Sequence, residues 1–136
     1  MTEVDRDLVE QARSAASRAR ADYSGFAVGA AALASDGRVF IGANIELSVY
    51  GLSMCAERVA VFKAYTEGAD DIVALAVAGS TVRPISPCGA CRQVIWELAP
   101  NARILLANQD GSEVAKHTPA DLLPNGFFLN RDRIQD

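Results

Sequence analysis

Three cysteines and one glutamate carry the chemistry legible in this sequence: Cys55-Ala56-Glu57 in one segment and Pro87-Cys88-Gly89-Ala90-Cys91 in another. The second segment is a Cys-x-x-Cys pair, a spacing used by thiol redox pairs and by metal sites alike; inert buried cysteines are a third option. The third cysteine favours metal. Thiolates at Cys55, Cys88 and Cys91 can occupy three corners of a zinc tetrahedron. The single histidine, His117, stands well apart in a loop-like context. Structural zinc sites close with four protein ligands, whereas catalytic ones keep a position for water. Three cysteines without an evident fourth ligand therefore point to an open, catalytic zinc, with His117 closing the site as the alternative.

Both cysteine segments fall where helices are predicted to begin, and the unpaired N–H groups and dipole of a helix start stabilise thiolate. Three thiolates overcompensate a doubly charged ion and would blunt its power to acidify water. Arg58 and Arg92 each follow a cysteine directly and can offset that excess by hydrogen bonding to sulfur; an ordinary surface arginine is the alternative for each. Glu57 lies two residues past Cys55. A carboxylate near the metal, but not bound to it, can accept a proton and pass it to a leaving group. Without zinc the same glutamate would be a first-turn residue favoured by the helix dipole.

The elements that must hold these residues follow from hydrophobic spacing. Val4, Leu8, Ala12, Ala15, Ala16 and Ala19 mark an amphipathic first helix. Ala27–Ala34 and Arg38–Ala43 read as two strands joined by a turn at Ser35-Asp36-Gly37. A second helix runs from near Cys55 to Gly68, and Ile72–Ala78 suits a strand buried on both faces. Gly89–Leu98 is a third helix, Arg103–Ala107 a further buried strand and Pro119–Leu123 a short helix; the tail from Asn130 is polar. A hairpin followed by alternating helix and strand predicts one α/β domain over residues 1–136, with a mixed central sheet between helical layers, α/β/α.

With 136 residues, 50% of them apolar and 22% charged, the chain has globular composition and length enough to bury a core without staples. Its net charge of −4 disfavours a nucleic-acid partner. No apolar run reaches the ~20 residues of a membrane span, and Met1–Asp7 is acidic where a signal peptide would be basic. Three is an odd number of cysteines for a disulfide-stapled secreted fold. The expectation is a cytoplasmic protein.

Five stretches together resemble the zinc-dependent homotetrameric cytidine deaminases of pyrimidine salvage: Tyr23-Ser24-Gly25-Phe26-Ala27-Val28-Gly29-Ala30-Ala31, Asn44-Ile45-Glu46, Cys55-Ala56-Glu57-Arg58, Pro87-Cys88-Gly89-Ala90-Cys91-Arg92-Gln93 and Leu122-Leu123-Pro124. The resemblance spans nearly the whole chain. It implies zinc on Cys55, Cys88 and Cys91, with Glu57 as the proton-transfer residue. It further implies that Phe26 packs on a pyrimidine ring and that Asn44 and Glu46 hold a ribose 3′-hydroxyl. The Ala56 N–H and the Ser86 carbonyl would read the base edge, and Tyr50 and Phe127 would complete a neighbouring subunit's site. The chain departs from the family where Leu47 replaces a polar residue beside the sugar-binding pair.

The implied activity is hydrolytic deamination of cytidine and 2′-deoxycytidine with release of ammonia. The absence of a glycine-rich phosphate loop fits a nucleoside better than a nucleotide. Three alternatives stay open: deamination of another aminopyrimidine nucleoside such as blasticidin S, a non-catalytic zinc-binding module, and thiol redox exchange at Cys88 and Cys91.

Overall fold

The computed structural model describes residues 1–129. The chain forms α1 (Glu3–Ala15), β1 (Val28–Ala34), β2 (Val39–Ala43), α2 (Ala56–Thr66), β3 (Ile72–Gly79), α3 (Gly89–Leu98), β4 (Arg103–Ala107), β5 (Val114–His117) and α4 (Pro119–Leu122). The sheet order is β2-β1-β3-β4-β5. Only β3 and β4 pair in parallel; the other neighbours are antiparallel. The mixed sheet between helical layers agrees with the expectation from element order.

Side chains on a strand alternate between faces, and β3 separates the two halves of the core by that rule. Ala74, Ala76 and Ala78 meet Leu8, Val9 and Ala12 of α1 on one face. Leu75 and Val77 meet Ala60 and Val61 of α2 and Ile95 of α3 on the other. Small residues let the helices come close. A methyl at Gly42 of β2 would sit 2.6 Å from the Ala56 carbonyl and the Ala60 nitrogen, both backbone atoms. Glycine at that position therefore allows the first turn of α2, which carries Glu57, to rest against the sheet.

Two elements differ from the sequence expectation. The first helix ends at Ala15 and passes through a 3-10 turn at Ala16–Arg18 rather than continuing to Ala19. Ala19 is extended because the next residue, Arg20, brackets the 44–46 segment: its N–H donates to the Asn44 carbonyl and its own carbonyl accepts from the Glu46 N–H. The segment around His117, expected to be a loop, is the edge strand β5, with His117 opposite Ile104. Its four residues are too short and too mixed in polarity to give a period-2 pattern. The polar tail from Asn130 lies outside the described residues.

Sequence reasoning also passed over Asp5, which is fully buried in the first turn of α1. Arg103 Nη2 donates to its Oδ1 at 2.9 Å, and Lys116 Nζ stands 4.0 Å from its Oδ2. Burial pushes this carboxyl up, but the hydrogen bond and charge of Arg103 outweigh that push and hold it below the usual range. Because the folded value lies below the unfolded one, the stabilisation is full above about pH 5 and is lost as pH falls through the folded value. Asp5→Asn should therefore lower stability at pH 7 by ~1–2 kcal/mol, a charged hydrogen bond discounted for the partly exposed arginine. Urea midpoints at pH 7 and pH 3 check this: the gap between variant and parent should shrink at the lower pH.

Candidate metal centre and active site

Local structure brings the two cysteine segments together. Cys55 is the N-cap of α2 and Cys88 the N-cap of α3, so both helix starts face one point, and Cys91 is buried in the first turn of α3. The Sγ atoms of Cys55, Cys88 and Cys91 all lie within 4.8 Å of one another, the one such group of potential metal ligands found among the described residues. Cys55 and Cys88 are 3.9 Å apart at sulfur. Tetrahedral zinc with Zn–S bonds of ~2.3 Å requires sulfurs about 3.8 Å apart, so the trio fits the ion with little movement. His117, on the edge strand, is not part of the cluster.

The surroundings of Cys55 already favour thiolate. The Cys55 thiol is pulled down to about 5, first by its hydrogen bond with Cys91 and, against the effect of burial, by Arg58. Arg58 Nη2 donates to Cys55 Sγ at 3.3 Å. Cys91 is pushed up by its hydrogen bond to Cys55 and by burial, as expected when close sulfurs share protons. A divalent cation removes that competition and draws all three towards thiolate. Arg92 takes a different place. It donates from Nε to the Pro87 carbonyl, from Nη1 to the Leu122 carbonyl and from Nη2 to Ser86 Oγ, so these donors brace the turn before Cys88 and no sulfur is among their partners.

Beside the sulfurs opens a cavity of about 350 Å³, of the size that takes small-molecule ligands. Cys55, Cys88, Ala56, Glu57, Phe26, Asn44, Glu46 and Ser86 all line it. Ile45 and Met54 exchange backbone hydrogen bonds, which sets the strip bearing Asn44 and Glu46 alongside the chain leading into Cys55. Glu57 is 4% exposed. Burial pushes its carboxyl above the usual range, and the charge on Cys55 adds to that push; a cation on the sulfurs acts the other way. The arrangement is a cysteine cluster that can hold a metal, with a buried carboxylate outside that cluster in the wall of a partly apolar pocket, which is what metal-assisted hydrolysis with proton transfer requires.

A family model described as the cytidine and deoxycytidylate deaminase zinc-binding region matches residues 2–107. The chain belongs to this zinc-dependent deaminase family. It is 50% identical over 121 residues to a cytidine deaminase of Halalkalibacterium halodurans, covering 88% of this chain and 91% of that one. A Mycobacterium tuberculosis cytidine deaminase is 39% identical over 137 residues, covering 96% and 95%. Among solved structures, a cytidine deaminase from Burkholderia pseudomallei superposes with a TM-score of 0.86 at 45% identity, covering 93% of this chain and all of that one. The matched family is a zinc-binding one, and the cluster of Cys55, Cys88 and Cys91 is compatible with zinc.

Tyr50 and Phe127 do not line this cavity; they are 71% and 60% exposed. Leu47 is also absent from the lining. The pocket includes Ser24, Ser53, Met54 and Ile85, to which sequence reasoning gave no role. Ser24 at least lay within a recognised stretch, whereas Met54 and Ile85 carry no chemical signal that separates them from core residues. No helix among the described residues is long and apolar enough to cross a membrane.

Proposed function

We propose that this chain hydrolyses cytidine and 2′-deoxycytidine to uridine and 2′-deoxyuridine, releasing ammonia, as a cytoplasmic, single-domain enzyme of pyrimidine salvage. The observation that carries the reading is Glu57: a buried carboxylate set in the pocket wall two residues from one sulfur of the three-cysteine cluster. A closed structural zinc site has no use for such a group.

Cys55, Cys88 and Cys91 would hold the zinc, which when bound would supply the Lewis acidity that makes water a nucleophile at neutral pH. The remaining roles belong to the chain. Glu57 accepts one proton of the attacking water and passes it to N3 of the pyrimidine as the new C–O bond forms at C4; it then takes the remaining proton from the C4 hydroxyl and delivers it to the departing amine as the C–N bond breaks and the C4 carbonyl forms. Phe26 packs on the ring. Asn44 and Glu46 hold the 3′-hydroxyl, while the Ala56 N–H and the Ser86 carbonyl read the base edge. Arg58 offsets the excess charge of the thiolates through its bond to Cys55. An ammonia-release assay over cytidine, deoxycytidine and blasticidin S, with zinc quantified in the same sample, tests the reading. Turnover of the first two with about one zinc per chain is expected; no ammonia from cytidine would refute it.

The assembly we propose is a homotetramer with shared sites. Tyr50 and Phe127 project outward, and Val49 and Leu52 add exposed apolar surface beside Tyr50 that a second copy can cover. Phe127→Ala should raise KM for cytidine by roughly 2–10-fold, the scale of one aromatic contact, and leave folding and assembly intact. Light scattering gives the assembly directly. A fully active monomer at assay concentration would withdraw both borrowed residues.

A further inference from the structure

We infer that Ser24 is a positioning residue that sets how the site grips the sugar. The inference rests on the proposed contact between Glu46 and the 3′-hydroxyl. An ionised carboxylate offers about four acceptor positions, and three of those on Glu46 are taken by one loop. Oε1 accepts from the Tyr23 N–H at 3.1 Å and from the Ser24 N–H at 2.9 Å, and Oε2 accepts from the Ser24 hydroxyl at 2.5 Å. One acceptor position remains, on Oε2, and the Ser24 hydroxyl determines which way it points. A substrate hydroxyl must use that position.

The same hydroxyl reaches the base side of the pocket. Ser24 Oγ accepts from the Phe26 N–H at 3.0 Å, and the Phe26 carbonyl accepts from Asn44 Nδ2 at 2.8 Å. The Phe26 backbone is thus held at both its N–H and its carbonyl by residues that also line the pocket. Gly25, at φ +69°, makes the tight turn that lets Ser24 and Phe26 meet in this way. Asn44 Oδ1 is occupied by the Val28 N–H at 2.8 Å, which leaves its amide one further N–H to donate. A hydroxyl that donates to Glu46 and accepts from Asn44 uses what both groups have left.

The test compares cytidine with its 3′-deoxy analogue. Ser24→Ala should raise KM for cytidine about tenfold, the scale of one charge-assisted hydrogen bond. The value for the 3′-deoxy analogue should move far less, with kcat on both within about twofold. Ser24→Thr keeps the hydroxyl and should retain the parent's preference for the 3′-hydroxyl. In a Glu46→Gln background, Ser24→Ala should cost no further discrimination. Zinc content and circular dichroism confirm folding, and Ser24→Gly serves in place of an insoluble alanine variant. If Glu46→Gln leaves the preference unchanged, the sugar contact itself is wrong and the inference falls with it. If Glu46→Gln abolishes the preference while the Ser24 variants shift both substrates equally or neither, the contact stands and the role of Ser24 is refuted.

Discussion

Glu57→Gln should fold, bind about one zinc per chain and turn over cytidine at least ~100-fold more slowly than the parent, the usual scale for loss of a positioned acid–base group. The substitution keeps the size of the side chain and removes only its capacity to take up and release a proton. Because Glu57 is buried, a neutral amide is no harder to accommodate there than the carboxylate. Single-turnover measurement with metal analysis separates the outcomes. Loss of zinc would mean that Glu57 is a ligand, contrary to its absence from the sulfur cluster. Glu57→Asp should also be poor, since it withdraws the carboxylate by one methylene from a pocket whose walls are otherwise unchanged.

Cys88→Ala should lose both zinc and deaminase activity, with turnover falling by ~10³-fold or more, the equivalent of several kcal/mol of Lewis-acid stabilisation. Two sulfurs and water bind the ion far less tightly than three. Cys88 also caps α3, its Sγ accepting from the Cys91 N–H at 3.4 Å, so loss of a cap adds a cost of ~1 kcal/mol to stability. Metal quantification, ammonia release and a thermal melt on one preparation distinguish the two effects. Full activity in a verified metal-free protein would refute the mechanism. A variant that loses activity yet keeps stoichiometric zinc would show that another group completes the site.

How much of this was open to inspection in the sequence depended on the range of the interaction concerned. The starts of α2 and α3 could be placed because a helix is marked by local pattern: Val59, Phe62 and Ala64 mark the first, and Pro87 precedes the second. Strand β3 could be placed because a strand covered on both faces must be apolar throughout. Strand β5 could not, since a short edge strand is held by its pairing with β4 rather than by its own pattern. Arg92 shows the same limit at the site. Its position beside Cys91 suggested a bond to sulfur, but only the folded chain brings the Leu122 carbonyl within reach of its guanidinium.

The sequence by itself determined the chemistry on offer: which residues can bind zinc, which carboxylate can move a proton, and that His117 is the single histidine available to complete the site. Those properties belong to side-chain types and short spacings, and folding does not alter them. Tertiary structure decided the rest. It brought sulfurs 33 residues apart to 3.9 Å, buried Glu57 so that its proton affinity rises, buried Asp5 against Arg103 and used three of the acceptor positions of Glu46 on residues 23 and 24. Distance, desolvation and hydrogen-bond saturation arise between segments remote along the chain, and no local pattern of residues encodes them.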